Sequence, residues 1–198
     1  MRTLARRLKR TWTSLKKALA GEIYLFFMDE TTLGLHPVLR ACWMKKGTQK
    51  RIDTPGQQKW YHLFGAYSFL TDEVVAMSAP RKNSDAFVAF LDTLVQQLPD
   101  DRPIVLVLDN ASYHHSAIAV AGFAVFEEHL MPLFLPAYCS NLNPIERYWL
   151  HLKGSACANV LFPSIQALVE SVYVNLDHQN DQANSNRFSI CKDLKFPT

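Results

Sequence analysis

The sequence lacks several features that would define its class at once. None of its apolar runs approaches the roughly 18 uncharged residues of a membrane-spanning helix, and no apolar stretch follows the basic N-terminus as in a secretory signal. The four cysteines include no C-x-x-C pair, which argues against both a zinc site and a disulfide framework. The absence of a G-x-G-x-x-G motif disfavours a dinucleotide-binding enzyme. We therefore expect a cytoplasmic protein with reduced thiols and no membrane partner.

Acidic residues are absent from the first twenty positions, which carry seven arginines and lysines. The formal net charge of the whole chain is +3, so removing these seven charges leaves −4 for the rest. A basic arm on a mildly acidic body suggests contact with a polyanion, and Arg6, Arg7 and Arg10 are candidate DNA contacts. Leucines recur at helical spacing in the same segment, so an amphipathic helix packed on the body is an equal alternative.

Two wholly apolar stretches are each followed by an acid. Residues 104–108 precede Asp109 and Asn110, and residues 23–28 precede Asp29 and Glu30. Such stretches are typical of strands that are buried on both faces of a sheet. If the two strands are neighbours, Asp29 and Asp109 lie side by side. Like charges at that distance need a cation or a shared proton.

The order of the other elements indicates an α/β fold. The predicted elements are a β-hairpin over 59–79 turning at Thr71-Asp72, a helix over 84–98 capped by Ser84, the strand 104–108, a helix to about Glu128, a strand at 131–135, a helix starting at Asn143 and a helix over 164–176. The helix over 84–98 supplies the crossover that lets strand 104–108 run parallel to a neighbour. The remaining C-terminal residues are polar and aperiodic, which predicts a loosely packed tail.

The sequence Asn143-Pro144-Ile145-Glu146 is typical of a helix start. Asn143 suits the N-cap and Pro144 the first helical position, which puts Glu146 at the third, where a carboxylate commonly caps the helix. If Glu146 points outward instead, it lies at the helix N-terminus beside the strand ends. Lys153 then shares its side of the helix and can reach a phosphate.

Two further segments leave a choice open. Residues 31–55 are basic and rich in turns, so Lys45 and Lys46 are either DNA contacts or part of a solvated loop. The adjacent His114 and His115 suggest a metal site. However, neighbouring positions on a helix point about 100° apart, so the two imidazoles cannot easily bind one ion. A structural or hydrogen-bonding role is the better interpretation for each histidine.

Three acids stand where an apolar strand ends or a helix begins: Asp29, Asp109 and Glu146. Carboxylates that converge in a dry site repel one another unless cations neutralise them, and all-oxygen ligation suits Mg²⁺ or Mn²⁺. Two such ions about 4 Å apart can activate a water or a 3′-hydroxyl for phosphodiester displacement. The residue types therefore fit a metal-dependent nuclease.

Three blocks of sequence occur together with these acids. They are Met28-Asp29-Glu30, the run from Leu108 to His114, and the run from Leu135 to Glu146 with Trp149 and Lys153 after it. Together they resemble the catalytic domain of insertion-sequence transposases of the mariner superfamily, which are DDE endonucleases, over about residues 22–160. Glu146 follows Asp109 by 37 residues, a spacing of the order that such families use between their second and third acids.

The resemblance implies a fold, an activity and a site. The fold is an α/β, ribonuclease-H-like mixed sheet of about five strands flanked by helices. The activity is metal-dependent cleavage of double-stranded DNA at transposon ends and strand transfer into a target, with Asp29, Asp109 and Glu146 as ligands of two Mg²⁺ ions, for which Mn²⁺ can substitute. The residues expected to support the site are Glu30, Asn110, His114 and Asn143. The expected parts of the chain are a basic arm at 1–20, a catalytic domain at 21–175 and a polar tail at 176–198.

The sequence also departs from that pattern. Transposases of this kind carry a helix-turn-helix region before the first aspartate, whereas about twenty residues precede the first strand here. We expect the arm to be the end of that region, and recognition of transposon ends to involve a homodimer or a helix-turn-helix partner polypeptide. Cys139-Ser140-Asn141 stands where the family usually has Ser-Pro.

Other functions remain as alternatives. One is a catalytically inactive or truncated transposase remnant that binds DNA. Others are a different ribonuclease-H-like nuclease, or a phosphohydrolase with Asp29 as its nucleophile. The phosphohydrolase is disfavoured because no second aspartate stands two positions after Asp29.

Overall fold

The computed structural model describes residues 13–53, 58–136 and 143–184. Its strands are β1 (Tyr24–Gly34), β2 (Trp60–Ser68), β3 (Val74–Ala79), β4 (Ile104–Leu108) and β5 (Leu130–Phe134). Its helices are α1 (residues 13–19), α2 (Ser84–Gln96), α3 (Ala117–Val125), α4 (Ile145–Ala156) and α5 (Ile165–Asn184), with a 3₁₀ turn over Ser112–His115 before α3. None of the helices described is long and apolar enough to cross a bilayer.

The five strands form one mixed sheet in the order β3-β2-β1-β4-β5. β1, β2 and β3 pair antiparallel, while β4 runs parallel to both β1 and β5. Helix α2 makes the crossover from β3 to β4, as the periodicity of residues 84–98 predicts. The predicted α/β class and the five-stranded mixed sheet flanked by helices are therefore confirmed.

Helices cover both faces of the sheet. Phe26 and Met28 of β1 pack in a core with α2 and α3. The opposite face is shared by two clusters. One holds Leu25 and Phe27 with α1, and the other holds Leu33 with α4 and α5. Because strand side chains alternate between faces, the odd-numbered residues of β1 all point toward the face covered by α1, α4 and α5.

The structure corrects two predicted strand and helix ends. β1 does not end at Met28 but continues to Gly34, because Thr31 and Leu33 keep up the alternation of buried residues and pair with β2. Asp29 is therefore in the middle of a strand. Helix α2 is capped by Asn83 rather than by Ser84, since the Asn83 side chain accepts a hydrogen bond from the Ala86 N–H.

The predicted tail over 176–198 is also wrong at its start. Helix α5 continues to Asn184, and both Leu176 and Gln179 are buried. Asn180 holds this helix to the edge strand, since its amide pairs with the N–H and the C=O of Val74 at 2.9 and 3.0 Å. Residues 185–198 lie outside the described ranges.

Candidate active site

Asp29 and Asp109 lie at the same level of the sheet on neighbouring strands. The parallel pairing of β1 and β4 matches Phe27 with Val107, and each aspartate lies two residues beyond that pair. Phe27 and Val107 share one apolar cluster, and alternation gives both aspartates the same face. The half-buried Asp29 is in β1, whereas Asp109 follows β4 and is more exposed.

Helix α4 brings Glu146 to this face. Its first two turns pack on Gly65 of β2, the residue paired with Asp29, through the side chains of Ile145 and Trp149. A Cβ at Gly65 would lie 2.6 Å from Trp149 Cζ2, so the glycine allows the indole to approach the sheet. Glu146 itself is exposed beside these buried neighbours.

Asn143 joins the start of α4 to β1. Its side-chain amide donates a hydrogen bond to the Met28 carbonyl at 3.0 Å, and the residue is buried. The predicted capping arrangement is wrong, because α4 begins at Ile145 with Pro144 at the cap position and no side-chain cap bond. Glu146 is thus the second helical residue. The side-chain amide of Asn143 bonds to β1 at Met28, one residue before Asp29, and not to the helix N-terminus.

The charges of these acids act on one another. Burial, together with the charges of Glu30, Asp109 and Glu146, raises the pKa of Asp29 to about 7. The pKa of Asp109 is instead lowered, chiefly by its contact with His114 and also by the Ala111 N–H, which donates to Asp109 Oδ1 at 2.9 Å. Two carboxylates at the same level of the sheet thus have pKa values displaced in opposite directions.

His114 bridges two of the predicted acids. Its Nε2 lies 3.3 Å from Glu30 Oε1 and its Nδ1 lies 3.3 Å from Asp109 Oδ1, as ion-pair contacts rather than aligned hydrogen bonds. Burial alone would lower the pKa of His114, but the two carboxylates outweigh it and raise the pKa to about 9. His114 is buried and packs on Phe87 of α2 with ring centroids 4.6 Å apart.

The other residues predicted to support the site or to contact DNA differ in their contacts and exposure. Asn110 follows Asp109 and donates its side-chain amide to the Leu135 carbonyl, which joins β4 to the end of β5. Lys153 is half-buried on α4; burial lowers its pKa, and the charge of Asp29 acts on it. Lys45 and Lys46 are exposed on the loop between β1 and β2. Arg6, Arg7 and Arg10 lie outside the described residues.

Lys82 belongs to the neighbourhood of the site although the sequence did not point to it. It is exposed on the loop between β3 and α2, and its charge acts on both Asp109 and Lys153. Nothing in the local pattern marks it, since it follows Pro80 as one of two basic residues in a turn. Lys82 reaches the neighbourhood of the acids because β3, which precedes it, pairs with β2 in the sheet.

The sheet order and its helices give the chain the ribonuclease-H-like fold that the catalytic cores of transposases and integrases share. The structure is similar to the Mos1 mariner paired-end complex with Mn, with a TM-score of 0.61 at 15% identity over 98% of this chain and 64% of that chain. It is also similar to the simian T-cell lymphotropic virus intasome, with a TM-score of 0.54 at 16% identity over 76% of this chain and 47% of that chain. At these identities the likeness is one of fold.

The sequence profile of the DDE superfamily endonucleases matches residues 24–169, and the chain belongs to that family. It is 29% identical over 153 residues to the insertion element IS630 uncharacterized 39 kDa protein of Shigella sonnei, covering 77% of this chain and 44% of that protein. It is 24% identical over 110 residues to the uncharacterized protein y4pE/y4sA of Sinorhizobium fredii, covering 56% of this chain and 78% of that one. The chain therefore spans less than half of the IS630 protein.

Proposed function

We propose that this chain is the catalytic part of a mariner-superfamily transposase that cuts DNA at transposon ends and transfers the cut strand to a target. The observation that carries the proposal is the register of β1 and β4, which sets Asp29 level with Asp109 on the face that α4 covers. The charge of Glu146 on α4 acts on Asp29. We assign these three acids as the ligands of two Mg²⁺ ions, with Mn²⁺ as a substitute.

The donor set suits such ions. All three side chains offer hard oxygen donors, and the raised pKa of Asp29 reflects burial and repulsion that a cation would relieve. In the described part of the chain no three His, Cys, Asp or Glu side chains are gathered closely enough to hold a metal ion. The carboxylates must therefore turn toward a bound cation, and the exposed Asp109 and Glu146 have room to do so.

The chain's own residues supply orientation and charge around the reacting phosphate. Bound divalent cations would supply activation of a water or a 3′-hydroxyl and stabilisation of the leaving oxygen. His114 holds Asp109 and Glu30 from the buried side of the site. Lys153 and Lys82 offer ammonium groups to the DNA backbone beside the acids.

Nicking of a supercoiled plasmid that carries the inverted repeats flanking the gene tests the proposal. In Mg²⁺, Asp29→Asn, Asp109→Asn and Glu146→Gln should each lower the nicking rate by about a hundredfold or more, since a lost ligand removes several kcal/mol of transition-state stabilisation. Asp92→Asn, which changes an exposed carboxylate of α2, should leave the rate unchanged. Undiminished nicking by Asp109→Asn would overturn the assignment.

A second candidate function is DNA binding without cleavage, as in a transposase remnant. The observation that favours it is that the three acids are not gathered at ligand distance. Retarded migration of repeat DNA with no nicking in Mg²⁺ or Mn²⁺ would support this function. Metal-dependent nicking that Asp109→Asn abolishes would exclude it.

The proposal includes a partner. Since the similar Mos1 structure is a paired-end complex with a transposon end, we propose that end recognition here involves a helix-turn-helix polypeptide or a second copy of the chain, and that the DNA-bound protein associates with the bacterial nucleoid. An upstream overlapping reading frame that encodes a helix-turn-helix would support a partner polypeptide. Sedimentation of the chain with repeat DNA distinguishes a dimer from a monomer.

A further inference from the structure

The loop between β1 and β2 is the most exposed basic segment in the described part of the chain. Every residue from 39 to 51 is exposed, and Trp43 is fully so. No acid occurs between residues 31 and 52, whereas the segment carries Arg40, Lys45, Lys46, Lys50 and Arg51. A projecting segment with five positive charges, no negative charge and an exposed indole is complementary to a nucleic-acid backbone.

The tip of this loop has a defined shape. The backbone N–H and the side-chain hydroxyl of Thr48 both donate to the Lys45 carbonyl, at 3.0 and 2.7 Å. Gly47 has φ +84°, a value that the third position of a type II turn requires and that glycine adopts freely. Lys45 and Lys46 are therefore the first two residues of a tight turn.

The base of the loop is fastened to the segment that follows α4. Val38 forms a parallel bridge with Ala158, and the Asn159 N–H donates to the Val38 carbonyl at 2.9 Å. The Asn159 side chain then pairs with both backbone groups of Arg40, accepting from its N–H at 3.0 Å and donating to its C=O at 2.9 Å. These bonds join residues about 119 positions apart in the sequence.

The side chain of Arg40 crosses α4 itself. Its Nη2 donates to the Leu150 carbonyl at 3.0 Å, and its guanidinium lies over Gly154, where an added Cβ would meet Nη1 at 2.7 Å and Cζ at 3.1 Å. Glycine inside a helix costs about 1 kcal/mol relative to alanine. At Gly154 the absence of a side chain leaves space for the Arg40 guanidinium on α4, the helix that also carries Glu146 and Lys153.

We propose that Arg40, seated at Gly154 and tied to Asn159, is a positioning residue that holds the basic loop in register with α4, so that Lys45 and Lys46 contact the DNA phosphates next to the cleavage site. We call Arg40, Gly154 and Asn159 together the loop clasp. The inference rests on the proposed function for its substrate. DNA is favoured over a second copy of the chain because duplex DNA carries one negative charge per about 1.7 Å of helix axis, whereas the acids of the protein body are interspersed with lysines and arginines along the sequence.

The test measures binding of the full chain to a repeat-containing duplex by fluorescence anisotropy in EDTA, over a range of salt concentrations. Lys45→Ala/Lys46→Ala should weaken binding about tenfold or more at 0.15 M salt and reduce the slope of log K against log salt by up to about 1.8, the value for two lost phosphate contacts. Gln166→Ala, an exposed change on α5, should alter neither quantity.

The clasp is tested by a double-mutant cycle. Gly154→Ala should keep or raise the melting temperature, because alanine favours the helix, and yet weaken DNA binding and lower the salt slope as Arg40→Ala does. In the Arg40→Ala background, Gly154→Ala should have no further effect on binding. Arg40→Lys should not rescue, because an ammonium cannot lie flat over Gly154 while it bonds Leu150.

Several results would overturn the inference. One is that Arg40→Ala and Gly154→Ala bind DNA with the affinity and salt slope of the wild type. Another is that the two losses of affinity add in the double variant. A third is that the wild type does not bind the duplex. Loss of self-association on sedimentation in Lys45→Ala/Lys46→Ala, with DNA affinity intact, would assign the loop to a second copy instead. Because no cleavage is needed, a wild type that binds but does not nick overturns only the proposed function.

Discussion

At the scale of single residues, the least expected feature is the histidine between two acids. Glu30 is on the face of β1 opposite Asp29, and its side chain is only 5% exposed. Such a carboxylate needs a partner, because an unpaired buried charge costs several kcal/mol. His114 meets that need and at the same time contacts Asp109, so one side chain links the buried layer to the candidate site.

Replacing His114 should expose that dependence. We expect His114→Ala to lower the free energy of unfolding by about 3 kcal/mol or more, because Glu30 is left buried without its partner. Glu30→Gln combined with His114→Ala should recover part of the loss, since the orphaned charge is gone. Denaturant titration of the wild type, the two single variants His114→Ala and Glu30→Gln, and the double variant in EDTA measures both effects. Equal losses in the single and double variants would contradict the pairing.

Gly65 is a second residue with a measurable role. Gly65→Ala should cost about 1–3 kcal/mol of stability and slow nicking, because its Cβ overlaps the Trp149 indole and pushes the start of α4 away from Asp29. A smaller side chain in the Gly65→Ala/Trp149→Leu double variant should restore part of the stability. Thermal melting and the plasmid assay report the two effects. An unchanged melting temperature in Gly65→Ala would show that α4 does not depend on this contact.

At the scale of elements, the strands were predictable and the helix start was not. The apolar runs at 23–28 and 104–108, the hairpin and the crossover helix follow from periodicity, and the structure has these elements in the expected order along the chain. The pattern Asn-Pro-Ile-Glu predicts an N-cap from local spacing alone. Local spacing carries no information about a contact with a strand 115 residues away, so the prediction failed. Asn143 instead bonds the carbonyl of Met28, and tertiary contact overrides the local preference.

Asn143 therefore offers a test at this scale. Asn143→Ala should cost about 1–3 kcal/mol, because the buried Met28 carbonyl loses its donor. Asn143→Asp should cost more, since a carboxylate cannot donate and brings a buried charge. If Asn143 were only a helix cap, aspartate would replace it at little cost. Unfolding titrations of the two variants separate these roles, and a stable Asn143→Asp protein would favour the cap.

At the scale of the whole molecule, the two faces of the sheet are covered differently. Helices α2 and α3 bury one face with Phe87, Phe90 and Leu91. The other face carries two separate apolar clusters, one with α1 and one with α4 and α5, and Asp29 lies along β1 between the strand residues that belong to them. Sequence order predicted which strands carry acids, whereas the separation of the two clusters depends on how three separate helices pack.

A cation bound by the three acids on this face should stabilise the folded protein. If Mg²⁺ binds the acids with a dissociation constant of about 1 mM, 10 mM Mg²⁺ adds about 1.4 kcal/mol, which for a chain of this size raises the melting temperature by about 3–6 °C. Asp29→Asn and Asp109→Asn should each abolish most of this rise, while Asp92→Asn should keep it. Thermal melting with and without Mg²⁺ makes the measurement without requiring DNA or cleavage. An equal rise in wild type and Asp109→Asn would mean that the ions bind elsewhere, and the three acids would then lose their assigned role even in a chain that cuts DNA.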